Sequence, residues 1–95
     1  MAVAKSLQSD QWWIPLKSID EEKLVRENLE LFVTLALEKF GYGSPRALKV
    51  TREERNGSWS ARFIATMTNS HIVKGEVTYL PKSNSLILAV AGDGR

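Results

Sequence analysis

The sequence predicts an α+β fold in which one long N-terminal helix packs on a four-stranded antiparallel meander, in the order α-β-β-β-β. Three observations predict it. The stretch from Ser18 to Phe40 is helical in period between a clear start and a clear stop, and Asn56-Gly57 is a strong hairpin signal between two apolar runs. Every hairpin that can be drawn after residue 45 then places its apolar residues on one face.

The helix start is a capping box, Ser18 followed by Glu21, with Asp20, Glu21 and Glu22 placed against the positive end of the helix dipole. Leu24, Leu31 and Leu35 form one apolar stripe, and Val25, Leu29, Phe32, Val33, Ala36 and Phe40 form an adjacent one. Lys23, Glu27, Glu30, Thr34 and Glu38 fall on the opposite face. Gly41 and Gly43 supply left-handed conformations that end a helix, and Pro45 prevents its resumption. From Leu29 to Leu37 only Glu30 and Thr34 are polar. That apolar arc is wider than one small sheet needs, so a covering beyond the sheet is expected.

Strands are expected near 46–54, 58–67, 71–80 and 85–91. A type I′ turn at Asn56-Gly57 sets Arg55 opposite Ser58, Val50 opposite Phe63 and Leu48 opposite Ala65. A three-residue loop at Thr68-Asn69-Ser70, with Asn69 left-handed, sets Met67 opposite His71, Trp59 opposite Tyr79 and Phe63 over Gly75. The same register puts Arg62 opposite Glu76 on the other face. A turn at Lys82-Ser83 then sets Tyr79 opposite Leu86 and Val77 opposite Leu88. The helix is therefore expected to lie over Leu48, Val50, Trp59, Phe63, Met67, Val73, Val77, Tyr79, Leu86, Leu88 and Val90. This order of elements is similar to that of cystatin-like folds in architecture only, because the Q-x-V-x-G segment with which cystatins inhibit proteases is missing.

Ahead of the helix, Trp12-Trp13-Ile14-Pro15-Leu16 is the most hydrophobic short stretch, and Pro15 limits it to an edge strand or an extended lead-in. Adjacent tryptophans in extended chain point opposite ways, so one is expected to plug the core and the other to lie half exposed. Residues 1–11 lack a signal-peptide pattern and read as a flexible leader to a single domain spanning 12–95. With 95 residues, 25% charged and 43% hydrophobic, the chain has the composition of one ordinary globular domain, and no apolar run approaches the roughly 20 residues of a membrane span. A cytoplasmic location is the default expectation, and Asn56-Gly57-Ser58 is then a turn rather than a glycosylation site.

Chemistry is sparsely marked. The chain has no cysteine and one histidine, His71, which excludes a thiolate site, a cysteine nucleophile and a two-histidine metal site. Glu53-Glu54 flanks a hairpin, and no glycine lies in a phosphate-cradling loop between strand and helix. No catalytic residue, cofactor or metal is expected, and the chain reads as a non-enzyme. A weak nucleic-acid binder through an open sheet face carrying Lys49, Arg62, Lys74 and Thr78 is one alternative, against which stand the net charge of +2 without clustering and the expectation that the strand aromatics face the core.

The clearest pointer to an interaction is the last strand. From Ser83 to Gly92 there is neither charge nor proline, and both faces are apolar. As the edge of a four-stranded meander it would template another strand. Either the Trp12–Leu16 segment covers it, or a symmetry mate does, in a two-fold homodimer. Trp12, Trp13, Ile64, Ile72, Ile87, Ala89 and Ala91 are the residues expected to make such a contact, with a second copy or another protein partner. The alternative is a small-ligand pocket between helix and sheet, lined by Trp13, Trp59 and Tyr79.

Overall fold

A computed structural model describes residues 10–91 of the chain. The elements are β1 (Asp10–Pro15), α1 (Ile19–Glu27), α2 (Leu29–Lys39), β2 (Pro45–Arg55), β3 (Ser58–Met67), β4 (Ile72–Leu80) and β5 (Ser85–Ala91). The sheet has five strands, not four, in the order β1-β5-β4-β3-β2, and every neighbouring pair is antiparallel. Among the described residues, the helices cover one face and leave the other open.

From Ala47 onward the meander has the expected register, and an irregularity between Pro45 and Ala47 sets Pro45 opposite Met67. Val50 stands opposite Phe63, Phe63 opposite Gly75, and Val77 opposite Leu88. Asn56 and Gly57 both have positive φ, as a type I′ turn requires. In the next loop the left-handed residue is Ser70, not Asn69, because a three-residue hairpin loop places that conformation last. Asn69 instead accepts a hydrogen bond from the His71 amide through its side chain. Arg62 lies opposite Glu76 as expected, but its guanidinium reaches Glu53 at 3.7 Å.

The additional strand changes the role of β5. Expected as an edge, it is flanked by β1 on one side and β4 on the other, with Trp12 opposite Leu88 and Trp13 opposite Ile87. The edge-to-edge homodimer through β5 is thereby ruled out, since both of its hydrogen-bonding sides are occupied within the chain. An uncharged, proline-free strand left as an edge would invite another chain to pair, whereas the short, proline-terminated β1 tolerates an open side. Because β1 begins at Asp10, Asp10 and Gln11 belong to the sheet, and the rest of the expected leader lies outside the described residues.

The single long helix is also corrected. It breaks at Asn28, whose φ of −132° and ψ of 48° leave the helical region. The Asn28 side chain donates to the Leu24 carbonyl at 2.9 Å, and its own amide reaches back only to Val25. An asparagine that competes for backbone partners in this way interrupts a helix at little cost. The ends behave as expected: Ser18 Oγ accepts from the Glu21 amide, and Glu21 in return accepts from Lys17. At the other end the Tyr42 amide bonds Leu37 and the Gly41 amide bonds Glu38, the paired closure of a Schellman motif around left-handed Gly41.

Leu29, Val33, Ala36 and Leu37 of α2 pack with Trp59, Phe63, Met67, Val77, Leu86, Leu88 and Val90 into one core. Trp12 closes its end, stacked on Phe40 at 4.3 Å and edge-on to Tyr42. The Tyr42 hydroxyl donates to Asp10 at 2.6 Å; burial, reinforced by that carboxylate, pushes the phenol pKa up and keeps it a donor at neutral pH.

Two outcomes check this packing. A Cβ at Gly75 would sit 2.5 Å from the Phe63 ring and against the Ala89 carbonyl, so Gly75→Ala is expected to lower urea-measured stability by about 1–3 kcal/mol. Trp12→Ala removes the stacked ring and is expected to cost about 3 kcal/mol and, by loosening β1, to promote aggregation through the bared β5, followed by light scattering.

Candidate functional site

The open face of the sheet is built by strand alternation. Successive side chains point to opposite faces, so once Trp12 packs under Phe40, Trp13 must project from the far side. There it is 61% exposed, next to Ile87 on β5. Ile64 and Ile72, from β3 and β4, lie on the same face with 47% and 45% of their surface exposed. Ile87 and Ala89 are half-buried there, and Ala91 is exposed at the end of β5. Six of the seven residues expected to make an interaction therefore share one face. Trp12 does not, because it belongs to the core. Lys49, Arg55, Arg62 and Lys74 stand on this face with Glu53 and Glu76, an excess of positive charge.

A second apolar surface lies on the helices. Leu24, Leu31 and Leu35 are 62%, 58% and 54% exposed and point away from the core residues Leu29, Val33, Ala36 and Leu37. Among the described residues nothing provides the covering expected for the wide apolar arc.

The residues expected to line a ligand pocket separate. Trp59 and Tyr79 meet as expected, stacked with centroids 5.8 Å apart, but Trp13 lies on the opposite face of the sheet. Beside the stacked pair is a cleft of about 420 Å³ lined by Glu22, Arg26, Glu54, Arg55, Trp59 and Tyr79 among others. Several of its polar groups are already partnered. Glu22 Oε2 accepts from Trp59 Nε1 at 2.7 Å and from Arg26 Nε at 2.8 Å, the Ser58 hydroxyl donates to the Tyr79 carbonyl, and the Tyr79 hydroxyl donates to Asn84. A second cleft of about 490 Å³ follows the helix break, where Arg52 donates to the Arg26 carbonyl.

Glu22 was legible only as a helix-start acid. In the fold it is 7% exposed and ties α1 to β3, because a buried indole N–H requires an acceptor. The hydrogen bond from Arg26, opposed by burial and aided by Trp59, holds its carboxyl below the usual range. His71 is exposed in the β3–β4 loop. Among the described residues no group of three potential ligands is placed to hold a metal ion, and no helix is long and apolar enough to cross a membrane.

No family model, curated protein or solved structure matches this chain.

The Glu22 tie makes a stability prediction. Glu22→Ala strands the Trp59 N–H and is expected to cost about 2–3 kcal/mol, whereas Glu22→Gln, which retains an acceptor, costs less. Because the folded-state pKa of Glu22 is depressed, its contribution is present above the unfolded value of 4.5 and is lost as pH falls through the lower folded value. Urea midpoints measured from neutral pH down to pH 3 are expected to fall less steeply in Glu22→Gln than in the parent.

Proposed function

We propose that this chain is a small non-enzymatic interaction module that self-associates through the open face of its sheet. The observation that carries the reading is that Trp13, Ile64 and Ile72, all substantially exposed, lie on the one face that no described helix covers. Isolated surface hydrophobes need no explanation, but an exposed tryptophan beside Ile87 and two further exposed isoleucines on one face have the make-up of contact residues. The edges of the sheet support a contact through the face instead. β1 is short and ends in Pro15, and β2 presents Arg46, Lys49, Arg52, Glu53, Glu54 and Arg55, a density of charge that resists strand addition.

Five strands about 4.8 Å apart and 6 to 11 residues long give a face on the order of 700 Å², below the roughly 800 Å² per partner of a stable interface. The association is therefore weak and concentration-dependent. A small-ligand reading draws on the cleft beside Trp59 and Tyr79, but the Glu22 carboxylate, the Trp59 indole and the Tyr79 hydroxyl there are engaged within the protein. A nucleic-acid reading draws on Lys49, Arg62 and Lys74, yet Trp13 is the single aromatic residue on that face among the described residues.

Ile64→Lys or Ile87→Lys is expected to weaken self-association about tenfold or more in sedimentation across a concentration series, with the circular dichroism unchanged. A parent chain that sediments as a monomer at every concentration would refute the reading.

A further inference from the structure

Building on the self-association proposed above, we infer that the sheet face of one copy docks on the Leu24, Leu31 and Leu35 stripe of the next, so that copies stack head to tail. Of the seven large hydrophobic residues that are exposed among those described, three lie on the sheet face and three on this stripe. They occupy opposite layers of the molecule. A β-sheet face and the apolar stripe of a helix are the two surfaces that pack together within α+β domains, including this one.

Charge chooses between this pairing and the symmetric ones. Three or four residues from the exposed leucines, and so within a turn of them, lie Asp20, Glu21, Glu27 and Glu38, with Lys39 the only cation at those spacings; Glu27 and Glu38, expected opposite the leucines, neighbour them because the leucines themselves face away from the core. The sheet face carries Lys49, Arg55, Arg62 and Lys74 against Glu53 and Glu76. More widely, residues 18–40 hold six acids and three bases, and residues 45–91 hold three acids and seven bases. Sheet against sheet would bring like charges together, as would helix against helix, and each arrangement is disfavoured. Sheet against helix brings the net positive face against the net negative one. Such an interface is heterologous, so it leaves one free surface at each end and propagates unless the rotation closes a ring.

The test uses two double variants that preserve local propensity: Trp13→Thr with Ile64→Thr on the sheet face, and Leu31→Gln with Leu35→Gln on the stripe. All four positions are exposed, and circular dichroism with urea unfolding checks that both variants remain folded. In sedimentation velocity the parent is expected to grow past the dimer with concentration, and each variant alone to remain a monomer. An equimolar mixture is expected to form a heterodimer and nothing larger, since one variant retains the stripe and the other the sheet face. If the stripe variant self-associates like the parent, the contact is sheet to sheet: the inference fails and the reading of the sheet face stands. A mixture that stays monomeric while the parent associates also overturns the inference. A parent that remains monomeric refutes both.

Discussion

A strand with the sequence of β5, uncharged, free of proline and apolar on both faces from Leu86 to Ala91, would invite another chain to pair if it were left as a sheet edge. Its pairing with β1 closes that edge and thereby determines much of the remaining architecture. Bringing Trp12 opposite Leu88 turns its ring toward Phe40 and sends Trp13 to the other side. The same pairing moves the open edges to β1, which is short, and to β2, which is heavily charged. With the edges defended, the described residues present two exposed apolar surfaces, one on each layer.

Within the helix layer, tight local bonds hold a break in place. Asn28 interrupts the helix, the Schellman closure at Gly41 ends it, and the Glu22 carboxylate fastens α1 to Trp59. These contacts leave Leu24, Leu31 and Leu35 facing outward, because Leu29, Val33, Ala36 and Leu37 already fill the space above the sheet. The arc of apolar residues is wider than the sheet can cover, and the surplus is surface.

Much of the fold was legible in the residues. Asn56-Gly57 determined its turn type, and one turn with alternating hydrophobicity determined the register of the whole meander, since a slip by one would have reversed every face. The placement of Ile64, Ile72, Ile87 and Ala89 on a common face came from the same parity, whereas nothing local says which of Trp12 and Trp13 faces outward. Three features were not legible. Whether Trp12 to Pro15 or a second copy would cover β5 depends on a contact between segments more than 70 residues apart, which no local pattern encodes. The break at Asn28 depends on a side chain outcompeting an amide for Leu24, and the sequence around it is otherwise helical. Glu22 reads as a dipole-satisfying acid until the Trp59 indole is brought to it by tertiary packing.

If the open sheet face and the leucine stripe are the two halves of one contact, both must respond to association together. Backbone amide chemical shifts followed across a concentration series test that most directly. Outer-face positions around Trp13, Ile64 and Ile87 and stripe positions around Leu24, Leu31 and Leu35 are predicted to shift with one apparent affinity, while core positions such as Val77 stay fixed. Movement of only one of the two groups, or of neither, would contradict it.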